Sequence, residues 1–352
     1  MLAVSFFSCC IDARNFHSKL LSMTFSHEDW QQLQHLRAQF LDRRAGHLDY
    51  WTTPRVLELY EHTFAQRIAW KWQHVLAELL QLRWQPPALP LLDWGCGTGI
   101  AARTFLRYFH SSPVTLYDRS TLALKFAQEK IRSEFPHITL LPFDERTSFC
   151  GVVLLSHIIT ELSDSALDAL LTQLRFAAAI LWVESGDRYA SRKLIEVREA
   201  LRASFHIVAP CTHQGACGLL LPEHRAHWCH HFAKPPQEAF TQARWADFKA
   251  HLGIDLSDLP LSYLVLDKRP IRALSSDTAR LIGRARLYKG YALLLACSAH
   301  ALEEYRLTAR KFPEAYRQMK KQEFHTLFSM QSQQREITRL EPVHVSPSDD
   351  KA

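Results

Sequence analysis

Glycine is scarce in this chain, at 11 of 352 residues. Three of them stand at alternate positions, Gly95, Gly97 and Gly99, so the cluster is not background composition. Cysteine is sparse too. Eight cysteines in a chain this long exclude the disulfide scaffold of small secreted domains. No apolar run approaches the roughly 20 residues that span a bilayer, and no internal repeat marks a solenoid. The Gly-x-Gly-x-x-Gly turn and the phosphate loop ending in Gly-Lys-Ser/Thr are both missing. An apolar fraction of 47% is enough for a full core, and the length allows one large domain or two small ones. A formal charge of +6 suits an anionic partner, and the lack of a spanning run leads us to expect no membrane partner.

The glycine cluster organises the chain. An apolar run from Ala88 to Leu92 reads as a short buried strand, Asp93 ends it, and a helical pattern runs from Ile100 to Phe109. Strand, glycine turn and helix open a nucleotide-binding α/β unit. Glycine lets a backbone turn sharply and approach a ligand, and the helix start offers unpaired N–H groups. Such turns also serve packing alone. Two further strands, Pro113 to Tyr117 and Thr139 to Phe143, end at Asp118 and Asp144. An acid ending the second strand is placed to accept bonds from ribose hydroxyls.

The run Asp93-x-Gly95-x-Gly97-x-Gly99 resembles motif I of class I S-adenosylmethionine (SAM) methyltransferases. The resemblance implies an α/β, Rossmann-like sheet with SAM as cofactor. The glycines would lie under its methionine part with Asp93 close by. Asp118 would meet the ribose, Asp144 the adenine amino group, and Ser156 the same pocket.

The chain divides on these signals. Residues 1–25 read as an extension, either a transit peptide or the product of a misplaced start, with the fold beginning near Met23. Ser26 and Asp29 form a capping-box pattern. Residues 26–85 are a helical leader that packs beside the sheet or covers its ligand edge. Residues 86–207 form the α/β core, with later strands at Gly151–Leu155, Ala178–Val183 and Ser204–Ala209. Residues 208–260 are a cysteine-containing insertion. Residues 261–330 hold a strand at Ser262–Asp267, a last strand at Tyr291–Ala296 and a basic helix. Residues 331–352 read as a disordered tail.

No catalytic residue is assigned. After the Gly151 strand the sequence reads Ser156-His157-Ile158-Ile159-Thr160-Glu161. It lacks the Asn/Asp-Pro-Pro-Tyr of amino-group methylating enzymes. No Pro-Cys dipeptide occurs except Pro210-Cys211, which belongs to another site. His157 titrates near neutrality and could act as a base, or it could orient a loop. Glu161 and Glu184 are structural on the same reasoning.

Between Pro210 and Pro236 the α/β alternation gives way to Pro, Gly, His and Cys. Cys211, Cys217 and Cys229 lie there, and Cys297 follows the expected last strand. Four thiolates can close a zinc or iron–sulfur site, and His213, His230 and His231 offer a mixed zinc site. Unpaired core cysteines are the alternative. The blocks Ala-Pro-Cys211-Thr-His, Cys217-Gly-Leu and Trp-Cys229-His-His-Phe resemble those of the methyltransferase-like family that assists small-subunit assembly in mitochondrial ribosomes, with bacterial relatives. The likeness runs from about Leu91 to Lys320 and includes Glu184-Ser185-Gly186. Thr212 and Gly218 replace two prolines of the family pattern, and His231 is an extra histidine. The resemblance implies a [4Fe–4S] cluster on Cys211, Cys217, Cys229 and Cys297, with zinc as the alternative. Cys96 and Cys150 are assigned to neither.

From Lys268 to Lys321 there are 13 Lys/Arg and 4 Asp/Glu, a net +9 that leaves the rest of the chain at −3. Arg284, Arg286 and Lys289 precede the expected last strand. Arg306, Arg310 and Lys311 follow it, with Tyr305, Phe312 and Tyr316 interleaved. Basic residues neutralise phosphates and aromatics stack bases, so these six are the candidate RNA contacts; a solvated basic helix is the bland alternative.

Together these features lead us to expect a SAM-dependent, methyltransferase-like protein of ribosomal small-subunit assembly or translation, with rRNA and the small subunit as partners. The resemblance implies the cytoplasm in a bacterium and the mitochondrial matrix in a eukaryote. The alternatives are a non-catalytic RNA-binding assembly factor that keeps SAM as a structural ligand, and a methyltransferase for another substrate with a structural zinc site.

Overall fold

The computed structural model describes residues 25–42, 49–144 and 146–343. The expectations for residues 1–24 and 344–352 fall outside these. The leader forms α1 (His27–Leu41), α2 (Pro54–Glu61) and α3 (Phe64–Gln81). The capping box is present, with Asp29 N donating to Ser26 Oγ at 3.1 Å and Ser26 N to Asp29 Oδ2 at 2.9 Å. Trp30, Leu33 and Leu36 make the buried stripe of α1, as their three-residue spacing requires.

The core runs β1 (Leu91–Trp94), α4 (Ile100–Tyr108), β2 (Val114–Tyr117), α5 (Thr121–Glu134), β3 (Leu140–Leu141), β4 (Val152–Ser156), α6 (Asp164–Leu174), β5 (Ala179–Ser185), α7 (Arg188–Leu201) and β6 (His206–Ala209). The insertion adds β7 (His231–Ala233), α8 (Glu238–Thr241) and α9 (Ala243–Leu252), and β8 (Leu259–Asp267) returns to the sheet. The sheet order is β3-β2-β1-β4-β5-β8-β6, with β7 also paired to β8. β1 to β5 are parallel, and β8 runs antiparallel to β5, β6 and β7. This is the expected methyltransferase-like α/β sheet. Alternate residues of each strand face opposite sides. Leu91, Val152, Leu154 and Leu181 pack under the leader, α4 and α5. Leu92, Val153, Leu155 and Trp182 pack under α6 and α7. The chain order reverses between β1 and β4, which opens a ligand crevice at the carboxyl ends of these strands.

The last 65 described residues depart from expectation. They form β9 (Thr278–Leu281), β10 (Arg286–Tyr288), β11 (Tyr291–Ser298), β12 (Leu302–Thr308), α10 (Pro313–Lys321), β13 (Leu327–Gln333) and β14 (Glu336–Pro342). The strand at Tyr291 is therefore not the last, and three more follow it. Arg306 lies on a strand, Arg310 and Lys311 on a turn, and only 313–321 is helical. The expected tail from 331 is, up to Pro342, part of a sheet. Leu302, Tyr305 and Leu307 are the buried side chains of β12. Their first three-residue step imitates a helix, which is why the stretch reads as one. β9, β11, β12, β14 and β13 pair in that order and back to β9, closing a barrel around a core of Ala279, Leu294, Leu307, Phe328 and Ile337, with Met319 of α10 packed into it.

Candidate functional site

The glycine turn is built as its spacing requires. Gly95, Gly97 and Gly99 hold φ values of 71°, 52° and 73°, which glycine adopts without strain. Gly95 N and Cys96 N donate to Tyr117 O at 2.8 and 2.9 Å, which lashes the turn to the end of β2. Asp118 Oδ2 accepts from Gly97 N at 2.8 Å and its Oδ1 from Ser120 N at 2.9 Å. Asp93 is fully buried beneath α4, where Oδ2 accepts from Ala102 N at 3.0 Å. Burial pushes its carboxyl up to about 7. Asp93 Oδ1, Thr98 Oγ1 and Ser120 Oγ are buried without a protein partner. Asp144 lies apart on an exposed turn, accepting from Arg146 N at 2.9 Å. Its neighbour Phe143 packs on Tyr117 with ring centres 4.6 Å apart.

The leader reaches over this crevice. A Cβ on Gly97 would meet Trp51 Cζ2 at 3.8 Å. Tyr50 donates its hydroxyl to Glu161 Oε1 at 3.0 Å, and Arg119 lies 3.7 Å from Glu161 Oε2. Residues 50–51 thus lie near the ends of β1, β2 and β4.

At the end of β4, Ser156 Oγ accepts from Trp72 Nε1 at 3.0 Å. His157 has a left-handed backbone, φ 56°. Its Nε2 lies 3.2 Å from Lys71 Nζ and its Nδ1 3.4 Å from Ser156 Oγ. Burial holds the imidazole well below its ordinary range, helped by Lys71. Burial likewise pushes the Lys71 ammonium down to about 7, and Arg67 adds to the shift. Sequence reasoning missed Lys71, because nothing in the pattern of α3 ties it to β4. Glu184 accepts from Ile158 N and Ile159 N, both at 3.0 Å, and from Trp182 Nε1 at 2.7 Å. It holds the chain after β4 in place.

Three of the four named cysteines, Cys211, Cys217 and Cys229, lie on one excursion from the sheet edge. β6 and β7 both pair with the same edge of β8, β6 at 265–267 and β7 at 259–261. The loop between them leaves the sheet two residues before Cys211 and returns two residues after Cys229. Ser262 Oγ, in the gap, donates to Cys229 O at 2.6 Å. Cys297 arrives on β11, opposite Arg280 of β9, and Cys217, Cys229 and Cys297 share one apolar cluster with Leu219 and Leu302. Arg198 Nε lies 3.2 Å from Cys211 Sγ. Burial, and then charge on Cys211 and the other cysteines, pushes the Cys217 thiol up to about 11, Cys297 up to about 12 and Cys229 well above its ordinary range. His213 Nε2 is 3.7 Å from Cys297 Sγ and His231 Nε2 3.6 Å from Cys229 Sγ. Among the described residues, no three His, Cys, Asp or Glu side chains converge tightly enough to hold a single metal ion. All six described cysteines are free thiols.

The six basic candidates divide. Arg286, Lys289 and Arg306 lie around the β10–β11 hairpin. Arg310 and Lys311 join them, because Ala309 N donates to Gly290 O at 2.8 Å. Arg284 stands elsewhere, paired with Asp258 and stacked 4.1 Å from the Phe232 ring. Of the interleaved aromatics, Tyr305 is buried inside the barrel. Exposed Tyr288 and half-buried Tyr291 stack on each other beside these cations, a pair that sequence reasoning did not single out. The alternation Arg286-x-Tyr288 was the available signal.

No helix among the described residues is long and apolar enough to cross a membrane. No curated protein matches the chain. Solved structures similar to it include several methyltransferases. A precorrin-6y C5,15-methyltransferase from Geobacter metallireducens is 12% identical, covering 56% of this chain and 87% of its own, with a TM-score of 0.35. A SAM-dependent methyltransferase from Aquifex aeolicus is 15% identical over 44% and 89%, with a TM-score of 0.33. The plantazolicin methyltransferase BpumL, solved with SAH, is 12% identical over 69% and 100%, with a TM-score of 0.34. A family model matches residues 64–328. That span takes in the glycine turn, all four cysteines and most of the barrel, and the chain belongs to the mitochondrial small ribosomal subunit Rsm22 family.

Proposed function

We propose that this methyltransferase-like protein binds SAM in its strand-end crevice, contacts rRNA through its C-terminal part, and acts in small-subunit assembly with a [4Fe–4S] cluster on Cys211, Cys217, Cys229 and Cys297. The glycine turn carries the SAM reading. Three left-handed glycines, Asp118 on the Gly97 amide, and the unpartnered hydroxyls of Thr98 and Ser120 suit a polar ligand that replaces water there. The thiol set fits a cluster by donor chemistry. Burial and the neighbouring cysteines raise the proton affinity of Cys217, Cys229 and Cys297, and Arg198 offers Cys211 a cation. When bound, a cluster would supply positive charge that draws off those protons. The choice of iron over zinc is supported by the cysteine blocks.

For the chemistry, both ring nitrogens of His157 already face neighbours, Lys71 and Ser156. That favours an assembly role with SAM as a bound ligand. Methyl transfer is the second reading, favoured by the Lys71 amine held near neutrality beside the crevice. Calorimetric titration with SAM tests the first claim, and no heat at concentrations well above micromolar overturns it. Incubating the protein with labelled SAM and small-subunit RNA and proteins separates the two readings, since label transferred to either establishes catalysis.

A further inference from the structure

We propose that the C-terminal barrel binds single-stranded RNA across the outer face of β11 and β12, with the stacked rings of Tyr288 and Tyr291 as a platform for unpaired bases. The proposal rests on the RNA contact proposed above and gives it a form.

The topology comes first. β9 pairs antiparallel with β11, β11 with β12, β13 with β14 and β13 with β9, while β12 and β14 run parallel. β10 is an added hairpin strand on β11. Counted in chain order without β10, the five strands run 1-2-3-5-4 and close back on 1. The one helix, α10, falls between strands 3 and 4. This is the Greek-key barrel of the oligonucleotide-binding fold. There the outer face of strands 2 and 3, with the loops 1–2 and 4–5, takes oligonucleotides or oligosaccharides.

The surface then selects the ligand. Along β11, buried Ala292, Leu294 and Ala296 alternate with outward Tyr291, Leu293, Leu295 and Cys297. Leu295 and Cys297 pack against the cysteine cluster, which leaves the Tyr291 end of the face uncovered. There Tyr288 and Tyr291 stack at 4.8 Å and 8°, and the Arg306 guanidinium lies 4.5 Å over Tyr291. Tyr288 is 42% exposed and ends the stack at solvent. Exposed Lys289 lies on loop 1–2. Arg335 lies on loop 4–5, where its carbonyl accepts from Arg306 N at 2.8 Å. Glu304 pairs with Arg286 and Glu303 with Arg335, so phosphates approach through Lys289 and Arg306. A cation stacked on flat rings suits a charged strand with bases better than a neutral sugar. A duplex keeps its base faces stacked inside, so a ring platform selects unpaired nucleotides.

The test uses the whole protein and a labelled, mixed-sequence RNA of about 12 nucleotides, within the site size of one such barrel, as a single strand and as a duplex. The single strand is expected to bind more tightly. Replacing both rings (Tyr288→Ala with Tyr291→Ala) is expected to weaken it at least about fivefold per ring, whereas Tyr→Phe at both sites retains binding. Photocrosslinking of a thiouridine-substituted strand to the parent protein is expected to mark the peptide carrying Tyr288 and Tyr291. Equal or tighter duplex binding, unchanged affinity in the alanine variant, or a crosslink confined elsewhere overturns this inference alone. A protein that binds neither form overturns it together with the RNA contact proposed above.

Discussion

Arg280 of β9 and Glu78 of α3 form an ion pair at 2.5 Å, with side chains only 3% and 12% exposed. The pair joins the barrel to the leader across 202 residues of sequence. Tyr263 of β8 donates to the same carboxylate at 2.6 Å, and Arg280 also donates to Pro210 O, one residue before Cys211. Four parts of the fold therefore meet at this one ion pair. Burial opposes the charge on Arg280, but Glu78 outweighs it and holds the pKa above its ordinary value. Removing one partner leaves a buried charge unpaired, which costs about 3–5 kcal/mol. Glu78→Ala should lower the urea unfolding free energy by that amount. A loss under about 1 kcal/mol would mean that water replaces the carboxylate and that the pair does not lock the barrel in place.

Gly97 is the position at which the crevice tests most cleanly. Its φ of 52° strains any branched residue, and a Cβ there would come within 3.8 Å of the Trp51 ring. Gly97→Val should abolish SAM binding in calorimetry while the protein still melts cooperatively, a few degrees lower. Trp51→Ala should weaken SAM binding without removing it, because it opens the cover and leaves the turn intact. Equal affinity in Gly97→Val and parent protein would place the ligand elsewhere.

The parts of this sequence that read best are those governed by local rules. Positive φ at Gly95, Gly97 and Gly99, the capping box at Ser26, and the strand ends at Asp118 and Ser156 each follow from a few neighbouring residues. What escaped depends on distant partners. Lys71 meets His157 only because α3 crosses the end of β4. Asp93 accepts from Ala102 N because its side chain leaves the sheet on the face that α4 covers. The barrel was hidden for a different reason. Its strands are closed by pairings such as Arg280 with Leu327, which no local pattern announces, and the step from Leu302 to Tyr305 imitates a helix.

Lys71 carries a pH signature. Its folded pKa is about 7 against an ordinary 10.5, so the unfolded chain binds the proton more readily. Between those values the unfolded state holds more protons, and stability rises with pH. Below about 7 both states are protonated and the slope vanishes. This one group should make the protein more stable at pH 9 than at pH 7, by an amount on the order of a few kcal/mol. Lys71→Met should remove that slope and stabilise the protein most at neutral pH and below. Urea unfolding at several pH values checks this. A slope unchanged in the methionine variant would assign it to another group.

The cysteine site makes the most demanding prediction, since it couples chemistry to architecture. Cys211 and Cys229 flank a gap in the edge of the α/β sheet, Cys217 lies on the loop between them, and Cys297 comes from the barrel. A group bound to all four would close a long loop between two separately cored parts of the chain, and such closure should stabilise the docked arrangement. The bare thiols resist ionisation, with Cys217 held up at about 11 and Cys297 at about 12. Loading must therefore release protons and should weaken as pH falls. Anaerobically purified protein should contain iron and acid-labile sulfide in equal amounts, near four of each per chain for a [4Fe–4S] cluster. Cys→Ser at any of the four should lower both and should loosen the barrel, seen as faster proteolysis after residue 267. Cys96→Ser and Cys150→Ser should leave iron unchanged. One zinc with no sulfide would falsify the cluster and keep the four-sulfur site. Full iron content in Cys297→Ser would remove the barrel from the site, and the coupling between the two parts would then rest on Arg280 and Glu78.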